Sequence, residues 1–155
     1  MNILDTGDDA PAFELPTNNN NTLNLSDLKG KIVVLYFYPK DMTPGCTTES
    51  QDFRDRISDF TEAGAVIVGV SKDSVARHDK FVIKHDLPFA LLSDENSSLC
   101  EEYGVWKLKK LYGREFMGIE RSTFVIDGDG VIRHIWRKVK VKGHVDEVLG
   151  VVQAL

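Results

Sequence analysis

Pro39-Lys40-Asp41-Met42-Thr43-Pro44-Gly45-Cys46 is the stretch on which the reading of this chain turns. The apolar run 32–38 leads into it and a polar segment with a helical stripe leads out, so it marks a strand turning into a helix. Thr43 suits an N-cap, Pro44 falls at the first helical position, where its missing N–H costs nothing, and Cys46 falls at the third. A capping box would carry Glu or Gln there. Here a thiol faces the unpaired backbone donors of the first turn and the positive end of the helix dipole, which favour thiolate over thiol. A cysteine at a helix start is by default a packing residue. A cap, a proline and a glycine around it instead build a backbone anion site, which packing does not require. Past the cap, Cys46, Ser50, Phe53, Ile57 and Phe60 recur at helical spacing while Asp52, Arg54, Asp55 and Asp59 fall elsewhere, so Cys46 shares the inward face.

Upstream, Phe13 and Leu15 alternate with polar residues, as do Leu23 and Leu25 beyond Asn18 to Asn21, which predicts a short hairpin with an Asn-rich turn. Residues 26–30 predict a single capped turn ending at Gly30, and 31–38 a central strand apolar on both faces. Downstream, Gly64 ends the Cys46 helix and 65–70 form a second buried strand. Ser74 caps a helix to about Asp86 with Phe81 and Val82 inward, and Pro88 ends it. Residues 89–92 predict a short strand and 96–103 a short helix carrying Cys100. Residues 105–118, basic and without a clean period, read as a loop. Residues 122–126 and 131–136 alternate around Asp127-Gly128-Asp129-Gly130, a hairpin signal, and Val145, Val148, Leu149 and Val152 stripe a last helix. The predicted class is α/β, a thioredoxin-like central mixed sheet flanked by helices with an N-terminal hairpin extension, in one domain spanning 1–155.

At 155 residues, 42% hydrophobic and 28% charged, the chain has enough apolar residues for one core and no room for a second domain. A net charge of -5 and a pI near 5.3 argue against a nucleic-acid partner. Two cysteines make no disulfide scaffold. The N-terminus, Met1-Asn2-Ile3-Leu4-Asp5, lacks a basic and an apolar leader region, and no run reaches membrane-spanning length. A soluble, cytoplasmic protein with reduced thiols is expected.

Arg121 stands at the entrance of a hairpin strand, where it would add a fixed charge and a planar donor fork if it reached Cys46; position alone favours a solvated surface arginine. His78, His85, His134 and His144 are scattered without ligand spacing, so no metal is expected. Asp127 to Gly130 lacks the length and terminal Glu of a calcium loop. Arg137, Lys138, Lys140 and Lys142 form a basic patch that would dock a partner or, more commonly, be a solvated edge.

The Pro39 to Cys46 stretch matches the PxxxTxxC motif of the peroxiredoxins, and nearly the whole chain resembles their bacterioferritin-comigratory, or Q-type, branch. The likeness includes Gly7-Asp8-Asp9-Ala10-Pro11, Asp27-Leu28-Lys29-Gly30-Lys31, Tyr103-Gly104-Val105-Trp106 and Gly118-Ile119-Glu120-Arg121-Ser122-Thr123-Phe124. The resemblance implies a thioredoxin-like fold in which Cys46 is the peroxidatic cysteine, Thr43 and Arg121 complete its site, and Pro39 shields it from water. The Gly45 and Cys46 backbone would bind substrate. It reverses the expectation for Arg121. The activity implied is thiol-dependent reduction of hydrogen peroxide and organic hydroperoxides, without a cofactor, in a monomer or weak dimer. First-turn N–H groups, the Thr43 hydroxyl and the Arg121 guanidinium would stabilise the reacting oxygens.

The departures from the branch concern the second cysteine. Many members carry a resolving cysteine five residues after the first, where this chain has Gln51, and others carry it in the next helix, where it has Val82. Cys100 matches neither site. A one-cysteine mechanism with an external thiol such as thioredoxin, glutaredoxin or glutathione is therefore expected. An atypical two-cysteine peroxidase using Cys100 and a non-enzymatic holdase or structural role are the alternatives. A dithiol oxidoreductase or copper-delivery protein would need a second cysteine near the first, and Thr48, Glu49 and Ser50 supply none.

Overall fold

A computed structural model describes residues 3–155; Met1 and Asn2, the start of the stretch read for a leader, lie outside them. β1 (Glu14–Pro16) and β2 (Thr22–Asn24) form the N-terminal hairpin, closed by a turn in which Asn19 and Asn20 hold φ of 65° and 56°. Asparagine tolerates that left-handed conformation because its short polar side chain bonds locally. A 3-10 turn, Leu25–Leu28, with Asn24 at its N-cap, feeds β3 (Ile32–Phe37). Then follow α1 (Pro44–Asp55), α2 (Ile57–Glu62), β4 (Ala65–Ser71), α3 (Val75–His85), β5 (Ala90–Ser93) and α4 (Leu99–Glu102). β6 (Trp106–Leu111), β7 (Arg114–Ile119), β8 (Ser122–Ile126), β9 (Ile132–Trp136) and α5 (His144–Gln153) complete the chain.

The central sheet has the order β5-β4-β3-β8-β9, parallel among β5, β4 and β3 and antiparallel from β3 to β8 and β8 to β9. This is the expected mixed sheet. Alternation along β3 splits the core: Val34, Tyr36 and Tyr38 join Phe53, Phe60, Phe81 and Val148, while Val33, Leu35 and Phe37 join Leu99, Tyr103, Phe124 and Ile132. Cys46 packs in the first cluster and Cys100 in the second, so the sheet lies between the two thiols.

Three local readings are corrected. Residues 105–118 are not a loop: β6 and β7 pair antiparallel across Tyr112 and Gly113, whose φ of 51° and 76° make a two-residue hairpin turn. The hairpin leaves Leu108, Leu111, Tyr112, Phe116 and Met117 exposed, so the burial contrast that gives a strand its alternating signature is missing. The Cys46 helix does not run unbroken to Gly64, because Arg56 leaves helical geometry (φ -108°, ψ 9°) and separates α1 from α2. The helix carrying Cys100 starts at Leu99 rather than 96, since Asp94 accepts the Leu99 and Cys100 N–H groups at 3.0 and 2.8 Å. Among the described residues no helix is long and apolar enough to cross a membrane.

Candidate active site

β3 ends beneath the loop 39–43, and α1 begins there with Thr43 at the N-cap in extended geometry and Pro44 at its first position. The Thr43 hydroxyl does not cap the helix; it donates to the Lys40 carbonyl at 2.7 Å. The first helical bond runs from the Thr47 N–H to the Thr43 carbonyl at 2.9 Å. The Gly45 and Cys46 amides precede that bond, so they have no carbonyl within the helix to bond. Cys46 itself is 1% exposed, and Pro39 is half-buried beside the loop.

Arg121 comes to this point through sheet register. β8 runs antiparallel to β3 with Ser122 opposite Phe37, which places the residue before Ser122 at the end of β3 where the loop departs. Its Nη2 donates to Cys46 Sγ at 3.3 Å and its Nη1 to Glu49 Oε1 at 2.6 Å. The position is no solvated edge: the side chain is 15% exposed. Gly45 makes room for it, because a Cβ there would lie 3.2 Å from Nη2.

Glu49 is the residue that helical spacing overlooked. It is fully buried on the inward face beside Cys46, Ser50 and Phe53, and its Oε2 has no hydrogen-bond partner. Burial pushes its carboxyl up to about 7, against the opposing pull of Arg121. A carboxylate one turn after Cys46 on an apolar stripe was the available signal, since buried acids occur almost only when paired. Ser50, on the same face, shares a 2.8 Å hydrogen bond with the Tyr36 hydroxyl. Lys109 of β6 also belongs to the surroundings; burial and the Arg121 charge lower its pKa, while Cys46 pulls the other way.

Cys100 lies across the sheet from these groups. It is fully buried, and burial followed by the nearby Asp94 carboxylate drives its thiol far above the ordinary range. Gln51 reaches His85 Nδ1 at 3.3 Å, and Val82 is half-buried on α3. Of the basic patch, Lys138, Lys140 and Lys142 are exposed, while Arg137 donates to the Gly104 carbonyl at 3.4 Å. His78, scattered by sequence spacing, meets Asp41 and Asp73, with one ligand atom from each lying within 4.8 Å of the others. Those atoms are engaged by Ser71, Arg77 and Tyr38, so the group is a closed hydrogen-bond network.

The chain matches the model of the AhpC/TSA family over residues 6–135. It is 58% identical over 146 residues to the peroxiredoxin Bcp of Bacillus subtilis, covering 94% of this chain and 93% of that one. It is 43% identical over 149 residues to the peroxiredoxin Bcp of Escherichia coli K12, covering 96% of each. Among solved structures it is similar to a cysteine-to-serine mutant of Xylella fastidiosa PrxQ, with a TM-score of 0.93 at 39% identity over 99% of this chain and 98% of that one. A structure of Xanthomonas campestris peroxiredoxin Q superimposes with a TM-score of 0.87 at 46% identity, covering 92% of this chain and 90% of that one.

Proposed function

Since the chain belongs to the AhpC/TSA family, as a peroxiredoxin and hence a thiol peroxidase, we propose that Cys46 is its peroxidatic nucleophile and that Arg121, Thr43 and the Gly45 and Cys46 amides hold the hydroperoxide. The observation that carries this reading is the Arg121 fork, which reaches Cys46 Sγ with one nitrogen and the buried Glu49 with the other. The Cys46 thiolate attacks the terminal peroxide oxygen; an S–O bond forms as the O–O bond breaks, and the departing oxygen takes a proton to leave as water or an alcohol.

Ionisation alone does not supply the rate. A free thiol is already a few per cent thiolate at pH 7, so complete ionisation gains only about 30-fold, roughly 2 kcal/mol. A more acidic thiol is also a weaker nucleophile. The larger share falls to donors that meet charge as it develops on the oxygens, namely the two free amides and the guanidinium. Thr43 takes a different part from the one expected. Its proton is committed to the Lys40 carbonyl, so its oxygen is left to accept the peroxide O–H and orient the substrate.

For the second half of the cycle, the reading is a one-cysteine mechanism. An external thiolate such as that of thioredoxin, glutaredoxin or glutathione attacks the Cys46 sulfur. An S–S bond forms as the S–O bond breaks, oxygen leaves as water, and a second thiol releases the mixed disulfide. The support is that Cys100 is buried on the far side of the sheet, where Cα atoms would have to come within about 7 Å of each other for a disulfide. Pro39 is assigned the shielding of the thiolate from water. The test is Cys46→Ser, measured as thiol-dependent peroxide consumption beside thermal melting. Turnover should vanish in a folded protein; appreciable residual turnover would move the chemistry elsewhere.

A further inference from the structure

Asp41, five residues before Cys46, is 1% exposed, and each of its polar groups is held by a different partner. Its amide donates to Asp73 Oδ2 at 2.7 Å, and its carbonyl accepts from Arg77 Nη2 at 3.2 Å. One carboxylate oxygen accepts from the Tyr38 hydroxyl, and the other lies 2.6 Å from His78 Nδ1. His78 is fully buried, with the Leu92 carbonyl 2.9 Å from its Nε2. A carbonyl only accepts, so Nε2 is the donor to Leu92, and Nδ1 shares a hydrogen bond with the Asp41 carboxyl on the other side. The ring is therefore closed between Asp41 and Leu92. Asp73, Arg77 and His78 all belong to α3 or the turn before it, so one residue ties the loop ahead of Cys46 to that helix.

The reaction makes this tie consequential. Cys46 is 1% exposed, so a thiol carried by a larger reductant would meet its sulfur only if the loop and the first turn of α1 moved away. Next to the anchor, Met42 holds a left-handed φ of 68°, a conformation that a non-glycine residue leaves readily once its neighbours release it. Arg121 and Glu49 share no hydrogen bond with Asp41 or His78, so the guanidinium side of the peroxide site does not hang on the anchor.

Building on the external-thiol reading, we propose that Asp41 and His78 are positioning residues for the reductive half of the cycle. Their buried hydrogen-bonded pair latches the loop to α3, and its opening sets how fast oxidised Cys46 becomes reachable by a thiol. The peroxide step is left to Arg121, Thr43 and the helix amides.

The test measures the two half-reactions separately in wild type, Asp41→Asn and His78→Gln. Oxidation of Cys46 by hydrogen peroxide is followed by tryptophan fluorescence, and capture of the resulting sulfenic acid by thionitrobenzoate. Asp41→Asn keeps the shape of the side chain and replaces one carboxyl oxygen by an amide nitrogen. Capture should accelerate about tenfold or more in both variants, because half of a buried pair is left uncompensated in the closed state. Oxidation should stay within about threefold, since the closed state still dominates and keeps Thr43 and the amides in place, while Arg121 shares no partner with the pair. Unchanged capture, or both steps slowed in parallel as by general loosening, overturns the latch. Should neither variant fold, wild type decides: the Asp41 amide should exchange with solvent faster in the Cys46–thionitrobenzoate adduct than in the reduced enzyme, and equal protection overturns the proposal. Failure of the external-thiol reading is recognised separately by peptide mapping, as a Cys46–Cys100 disulfide in oxidised wild type. In that case alkylation of reduced Cys46 by a bulky maleimide tests the latch, faster in Asp41→Asn if it holds and unchanged if it does not.

Discussion

Glu49 Oε1 lies 2.6 Å from Arg121 Nη1 at a position with no solvent exposure, so the guanidinium that reaches Cys46 is braced by a carboxylate on the same helix as the thiol. The bond joins α1 to the start of β8 and fixes the fork in the plane that serves Sγ. A fork that serves two different partners depends on a planar cation, and three consequences can be measured.

Arg121→Lys keeps the charge and loses the fork. It should slow peroxide reduction roughly a hundredfold, the usual cost of removing one donor to a developing oxyanion. The thiolate absorbance of Cys46 as a function of pH should move far less. A variant near wild type in both would return Arg121 to a surface role.

Glu49 predicts a pH dependence of stability. Its carboxyl is raised in the folded protein from 4.5 to about 7, while the unfolded chain keeps the ordinary value. Between these values the folded state holds a proton that the unfolded chain has released. The resulting stability is full below about 4.5 and is lost as pH rises through about 7. Glu49→Gln stays neutral throughout, so the stability of the variant relative to wild type should rise by about 3 kcal/mol across that window. Urea unfolding at several pH values measures it. A difference that stays constant with pH would mean that Arg121 keeps Glu49 ionised throughout.

Gly45→Ala should slow peroxide reduction by up to about tenfold, because a shift of a few tenths of an ångström in a catalytic group costs less than the roughly hundredfold of a 1 Å misplacement. The added Cβ would meet Arg121 Nη2 at 3.2 Å, and the guanidinium must give way. Gly45 is the second residue of a regular helix, so melting should be nearly unchanged. Unaltered peroxide kinetics would show that the fork has room to spare.

Cys100→Ser should keep most turnover with a small thiol as reductant, within about threefold of wild type, since it shares no partner with Cys46. Burying a hydroxyl in that core should destabilise the protein by about 1–3 kcal/mol. Oxidised wild type should carry an adduct on Cys46. Peptide mapping that instead finds Cys46 joined to Cys100, together with lost turnover in the variant, would make this an atypical two-cysteine enzyme.

The local signals around Pro39 to Cys46 were sufficient to place a strand, a cap and a helix start, because cap, proline and apolar run each act over a few residues of chain. The period of apolar residues likewise located β3, β4, β8 and α5, whose faces are buried and therefore patterned. The β6–β7 hairpin escaped that reading because an exposed ribbon has no buried face to mark it. Glu49, marked only by its place on an apolar stripe, and Asp41, not marked at all, escaped for another reason. A charged residue in a helix or loop is ordinarily solvated, and only partners 72 and 37 residues away, Arg121 and His78, make its burial possible. Which side of the sheet holds each cysteine was decided in the same way, by the packing of α1 and α4 on opposite faces of β3. Sequence alone thus determined where Cys46 would sit on its helix, since the signals of a helix start are local chemistry. The arginine that meets it, the carboxylate that braces the arginine and the sheet that keeps the second thiol away were decided by strand register and burial, which exist only once distant segments have come together.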